Sequence, residues 1–291
     1  MNRLLSLVVL VLWAPLALAL SPYYYGNRLP AGDLTSLMAN VQKSLEKQGL
    51  SIVGKYVPSG LGGQGVLVAT DKDLLAAVRA MGGASIVGAP IRVGVKSDGT
   101  VSFVNLEYWN RAYFRKQYPQ AEKAIRNAHA RLVKALGGGK KTFGGDVAKA
   151  DLADYQYMFG MEGFDSDKNL LLEHLSFDDA VNAIRENLAA GVANTAKVYE
   201  IVMPDKNVAV FGVALNDPRE GEGAWVKVIG VDNVPALPYE IYVVNNRANH
   251  LFARFRIALG WPDVGMGSFM RIVETPGNIR DTLVRVAGGT P

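Results

Sequence analysis

Three histidines, His129, His174 and His250, and the lack of any cysteine bound the metal and nucleophile chemistry open to this chain. No two histidines stand in an H-x-x-H or H-E-x-x-H spacing, which would set two imidazoles on one helix face for a hydrolytic zinc. Without Cys there is no thiolate nucleophile, no disulfide and no covalently attached haem. Soft thioethers remain: Met158 and Met161 stand upstream of His174, and Met266 and Met270 follow His250, a donor set suited to copper. Methionine more often fills irregular gaps in a core, so a Met/His copper protein ranks behind the other readings, and no cofactor is expected.

Carboxylates offer acid–base chemistry at Asp151 with Asp154, Asp165 with Asp167, and Asp178 with Asp179. The last two pairs read as solvated loop or helix-start acids, the last favoured by the helix dipole. No G-x-S-x-G elbow is present. The run Gly137-Gly138-Gly139-Lys140-Lys141-Thr142 fails the phosphate-loop pattern at both ends and follows a helix where a strand is required.

Aromatics are the more suggestive set. Tyr108, Trp109 and Tyr113 follow one alternating stretch, and Tyr155 and Tyr157 lie in a glycine-rich region further on. Amphipathic rings favour interfaces and ligand pockets. With Arg92 and Glu240, charged residues between apolar neighbours in two similar stretches, they form the expected ligand- or partner-binding set.

These residues must be placed by a chain that runs the same programme twice. In the first half, Leu34, Leu37, Met38, Val41 and Leu45 recur at helical spacing over residues 33 to 48, with Asp33 as N-cap and Gly49 beyond the end. A strand "LSIVGKYV", a Gly-rich turn, an apolar "GVLVAT" and a short helix over Lys72 to Met81 follow. Then Ile91, Val93 and Val95 alternate with Arg92, Gly94 and Lys96, and Asp98-Gly99 turns the chain into a second alternating run, which predicts a β-hairpin. Residues 107 to 136 read as helix, interrupted near Pro119.

The second half opens with Ser176 and Asp179 at capping-box spacing and a helix face of Phe177, Val181, Ile184 and Leu188. After it, "AKVYEIVMP", "NVAVFGVAL" and "LPYEIYVVNN" stand where "VGKYVP", "GVLVAT" and "APIRVGVKSDG" stood. The expected architecture is α+β: two similar modules, 33–137 and 176–287, each an antiparallel sheet packed by helices, related as a pseudo-two-fold tandem duplication. A connector, 138–175, joins them, flexible in its glycine-rich first part.

The hairpin carries a resemblance. Ala89, Pro90, Arg92, Val93 and Val95 with Asp98-Gly99, after a helix ending "QGLSIVGKY", resemble the Leu-Pro-x-Arg-Val-x-Val pattern of the bacterial domain-of-unknown-function 302 family. The second half keeps Leu237-Pro238, Ile241 and Val243 but has Glu240 in place of the Arg. The resemblance implies a small helix-packed antiparallel sheet that tends to pair, with no settled activity. A tandem copy could then satisfy the pairing within one chain.

The amino terminus, with Arg3, an apolar run from Leu4, Pro15 and Ala17-Leu18-Ala19, reads as a secretory signal peptide over residues 1–19, against the alternative of a retained anchor. Its removal takes Arg3 and leaves 30 basic against 27 acidic residues, too weak an excess for a nucleic-acid groove. The expectation is a periplasmic or secreted protein with no membrane span after cleavage. Its function would be non-catalytic binding of a protein partner or small apolar ligand, or assembly. The alternative is an enzyme with a carboxylate-based site at the module junction.

Overall fold

Asp33 accepts a hydrogen bond from the Ser36 N–H and so starts the first helix, satisfying one of the donors a helix N-terminus leaves open. The computed structural model describes residues 18–291; the apolar run of the expected signal peptide lies outside them. In chain order the first half comprises β1 (Ala19–Leu20), β2 (Tyr23–Tyr25), α1 (Leu34–Lys47), β3 (Ser51–Tyr56), β4 (Gln64–Thr70), α2 (Lys72–Met81), β5 (Ile91–Lys96), β6 (Val101–Val104), α3 (Leu106–Phe114) and α4 (Tyr118–Leu136). Two short strands, β7 (Thr142–Phe143) and β8 (Val147–Ala148), lead to β9 (Leu170–Glu173), α5 (Phe177–Ala189), β10 (Thr195–Met203), β11 (Val208–Leu215), α6 (Glu222–Ile229), β12 (Tyr239–Val244) and β13 (Arg247–Asn249). Helices α7 (Ala253–Gly260), α8 (Met266–Met270) and α9 (Thr275–Val286) complete the chain.

The fold is mixed α+β, and every strand pairing among the described residues is antiparallel. The first sheet runs β3-β4-β5-β6-β2-β7 and the second β10-β11-β12-β13-β9. Helix α1 covers the first sheet and α5 the second, each through the apolar stripe its spacing predicts: Leu37, Met38, Val41 and Leu45 in α1, Val181, Ile184 and Leu188 in α5. Each sheet also meets the other half of the chain. The segment Gly83–Gly88, leading into β5, packs on β11 and β12, while Val231–Ala236, leading into β12, packs on β4, β5 and β6. The five residues Ile91–Val95 of β5 are therefore buried on both faces, the charged Arg92 included.

One local expectation is refined and one is corrected. The helical stretch breaks at Arg115, whose φ of 50° ends α3, and Pro119 sits in the first turn of α4, where its missing N–H costs nothing. The glycine-rich start of the connector is not a free linker: β7 pairs with β2, and Gly138 lies so close that a Cβ there would stand 2.1 Å from the Tyr25 carbonyl oxygen. Within the segment read as connector, β9 joins the second sheet as an edge strand. Among the described residues no helix is long and apolar enough to cross a membrane.

Candidate functional site

Arg92 is the second residue of β5 and sits opposite Val68, the fifth residue of β4; Glu240 is the second residue of β12 and sits opposite Gly212, the fifth of β11. The strands that follow outward agree as well. Val68 pairs with Gly54 of β3 just past a bulge, and Gly212 pairs with Tyr199 of β10 just past another. The edges β3 and β10 meet: a Cβ on Gly54 would lie 2.4 Å from the Val198 carbonyl oxygen and 2.9 Å from the Tyr199 Cβ. Glycine is required there by the approach of a neighbouring backbone.

At the centre of this junction the buried Arg92 guanidinium forms an ion pair with Glu240 Oε1. Arg256 of α7 donates from Nε to Glu240 Oε2 at 3.2 Å and from Nη2 to the Ala236 carbonyl at 2.5 Å. Two guanidiniums thus share one carboxylate. Trp109 of α3 faces both cations, its ring centroid 4.7 Å from Arg256 Cζ and 5.8 Å from Arg92 Cζ, and its Nε1 donates to the Pro22 carbonyl at 3.0 Å. Burial, and then the neighbouring Arg256, lowers the Arg92 pKa from its ordinary value. The Arg92 Nε and the Tyr113 and Tyr199 hydroxyls are buried without a partner, a costly arrangement. Burial pushes the Tyr199 pKa up to about 12.

A second buried acid lies in the same junction. Glu222, in the first turn of α6, accepts from Tyr56 Oη of β3 at 3.1 Å and from the Tyr239 N–H at 3.3 Å. Burial pushes its carboxyl up to about 8, against the opposing pull of these hydrogen bonds. Sequence reading missed it because "REGEGAW" looks like a solvated turn; the signal was the pair of flanking glycines.

Three tyrosines close the last turn of α7, whose carbonyls have no partner within the helix. Tyr155 donates to Ala258 O at 3.0 Å, Tyr108 to Leu259 O at 2.9 Å and Tyr23 to Gly260 O at 2.8 Å. They come from the connector, α3 and β2. Tyr157 adds a bond to Val264 O at 3.3 Å and stacks on Phe269, ring centroids 5.0 Å apart. Tyr108, Trp109 and Tyr113 are all buried, so these expected binding residues pack the junction and present no open aromatic face.

An open cleft of about 590 Å³ lies where the connector crosses between α3 and α7, lined by Arg115, Tyr155, Met161, Phe164, Asp165 and Phe255 among others. Phe255 meets Tyr155 and Phe164 edge to face at 6.1 and 6.2 Å. The charges around this aromatic floor are paired. Arg115 donates to the Ala153 carbonyl at 2.8 Å and forms ion pairs with Asp154 at 3.2 Å and with Asp165. Glu162 is gripped by Arg254 at 2.7 and 2.5 Å and by Lys168 at 2.6 Å, which holds its carboxyl down at about 2. Phe255 is only 1% exposed, so the cleft's open surface is shared between the half-buried Tyr155 and Phe164 and the paired polar groups.

The other expected site residues are dispersed. His250 is fully buried between the rings of Tyr239 and Phe252, and burial pushes its pKa down to about 3. Its N–H bonds Asn169 O at one end of β9, whereas the His174 N–H bonds Asn246 O at the other end, on the order of 10 Å away along the strand. The two histidines therefore share no ligand position. Met158, Met266 and Met270 are exposed, while Met161 lines the cleft. Among the described residues no group of three or more His, Asp or Glu side chains could hold a metal ion. Asp178 and Asp179 start α5, and Asp154 and Asp165 converge on Arg115, not on each other as an acid–base pair.

Comparison with family models and with curated proteins finds no match for this chain.

Proposed function

We propose that the chain is a tandem duplication of an α+β module, similar to the domain-of-unknown-function 302 family, closed on itself as an intramolecular pseudo-dimer that serves as a non-catalytic binding or assembly protein of the bacterial periplasm. The duplication is supported by the matched registers of β3-β4-β5 and β10-β11-β12, by bulges at the same place in both, and by the reciprocal packing of Gly83–Gly88 and Val231–Ala236. Reciprocal contact between corresponding surfaces is what a two-fold interface imposes.

The observation that carries the binding reading is the connector cleft: Tyr155, Phe164 and Phe255 floor it, and the charged groups at its rim are paired with one another. Such a mixed seat suits a small ligand that carries polar groups beside an apolar or aromatic part. A carboxylate enzyme at the module junction is the second reading, and Glu222, with its raised pKa, is the residue that favours it. Its full burial weighs against contact with any substrate.

Native mass spectrometry of the protein purified from its own compartment tests the binding reading. A bound small molecule that is lost in Phe164→Ala, with folding intact by circular dichroism, is the expected result. Protein recovered without any bound molecule, alongside turnover of a substrate that Glu222→Gln abolishes, would replace binding with catalysis.

A further inference from the structure

Five of the large apolar side chains left exposed lie on the connector tip and on or just after α8; Leu18, Val57 and Leu175 are the others. Phe159 is fully exposed, Met158 is 47% exposed, and Met266 and Met270, one turn apart on α8, are 47% and 56% exposed. Val273 follows at 49%. The stack of Tyr157 on Phe269 and the Tyr157 hydroxyl on Val264 O hold the connector tip, which carries Met158 and Phe159, against α8, which carries Met266 and Met270. Met158 and Met161 bracket a turn closed by the Met161 N–H on Met158 O, which projects Phe159 from its tip.

The amino-terminal segment leaves the fold against Asp146 and Lys149, in the stretch whose Gly145 packs on Asp263 ahead of α8. The Leu18 carbonyl accepts from the Lys149 N–H at 2.8 Å, and Ser21 Oγ donates to Asp146 at 2.5 Å. Gly145 in turn lies against Asp263, where a Cβ would meet the Asp263 Cβ at 2.8 Å, and Asp263 adjoins Val264 and leads into α8. From Leu18 the chain leads back into the apolar run "LLSLVVLVLWAPLALA". A segment of that composition partitions into a lipid bilayer, whether on its way through export or as an anchor.

We infer that the surface formed by Met158, Phe159, Met266, Met270 and Val273 is a membrane-contact face, inserting into the lipid interface on the side from which the amino-terminal segment departs. A fully exposed Phe on a turn, flanked by flexible thioethers, has the composition of a shallow interfacial insertion. The charges bordering it are mixed, Arg271 against Asp263 and Glu274, all exposed. Binding therefore draws on apolar burial and should resist salt. The inference is independent of what the connector cleft holds.

The test uses the chain from Leu20 onward, so that the amino-terminal run contributes nothing, with vesicles of phosphatidylethanolamine and phosphatidylglycerol at three to one. Phe159→Trp is expected to show a blue-shifted emission on adding vesicles and quenching by lipids brominated high on the acyl chain. Replacing Phe159 and Met270 together by Ser should lower vesicle partitioning at least tenfold without changing the melting temperature, and 0.5 M NaCl should leave wild-type partitioning within twofold. Absence of vesicle binding, binding unchanged by the double replacement, or a concentration-dependent dimer abolished by it would each overturn the inference, the last assigning the face to a second copy of the chain.

Discussion

Arg92 and Glu240 hold the same position in two different sheets, the second residue of β5 and the second residue of β12, and their side chains meet as a buried ion pair. Under a two-fold relation between the halves a residue near the axis faces its own counterpart. Two arginines there would repel in a medium where charge is poorly screened; an Arg opposite a Glu attracts. The helices behave alike. Trp109, fourth in α3, and Arg256, fourth in α7, face each other at 4.7 Å as ring and cation.

Because Glu240 serves both Arg92 and Arg256, its loss should be the most damaging in the cluster. Glu240→Gln is expected to cost about 3–5 kcal/mol in urea unfolding, leaving two buried guanidiniums unneutralised, whereas Arg92→Met leaves Glu240 still paired with Arg256 and should cost less. The double variant should be less destabilised than the sum of the two. Equal and additive losses would show the pair to be energetically uncoupled.

Glu222 makes stability depend on pH in a direction opposite to an ordinary surface acid. Its folded pKa of about 8 exceeds the usual carboxyl value near 4.5, so the folded state holds the proton more tightly. Stability from this group is full below about pH 4.5, falls as pH rises, and is lost above about pH 8, a span on the order of 4–5 kcal/mol. Melting temperatures at pH 5, 7 and 9 should fall in the wild type and stay level in Glu222→Gln, which keeps the acceptor for Tyr56 and cannot ionise.

Gly54 tests the meeting of the two sheet edges. Gly54→Ala places its Cβ on the Val198 carbonyl, so β3 and β10 must separate, and the expected loss is about 2–3 kcal/mol. Hydrogen exchange should rise at the β3 and β10 amides of this variant. A wild-type melting curve would mean the edges do not touch in solution.

Glu162 ties the connector to α7. Its pKa is held at about 2, below the ordinary value, so the tie is fully present above about pH 4.5 and is lost as pH falls through 2. Glu162→Gln should open the connector at neutral pH, seen as faster proteolysis between 156 and 161 than in the wild type. Unchanged cleavage would assign the connector's hold to Tyr155 and Tyr157 alone.

Much of the scaffold was legible because it rests on short-range rules. Periodicity located α1, α2 and α5, side-chain caps at Asp33 and Ser176 marked two starts, and alternation with Asp98-Gly99 and Asn245-Asn246 marked two hairpins. Comparing the two hairpins singled out Arg92 and Glu240 as corresponding positions of opposite charge. Composition misled at Gly137–Gly139, where glycines that suggest flexibility instead admit a close backbone approach.

The sequence by itself determined the α+β character and the principal helices and strands of each half, since these follow from spacing along one strand or helix. Only the tertiary structure decided that the two charges touch, that Trp109 and Tyr108 serve the junction, that Glu222 is buried, and that His174 and His250 lie at opposite ends of a strand. Those outcomes depend on which face of one half meets which face of the other. That choice is made by shape and burial summed over residues more than a hundred positions apart, and no local pattern in the chain records it.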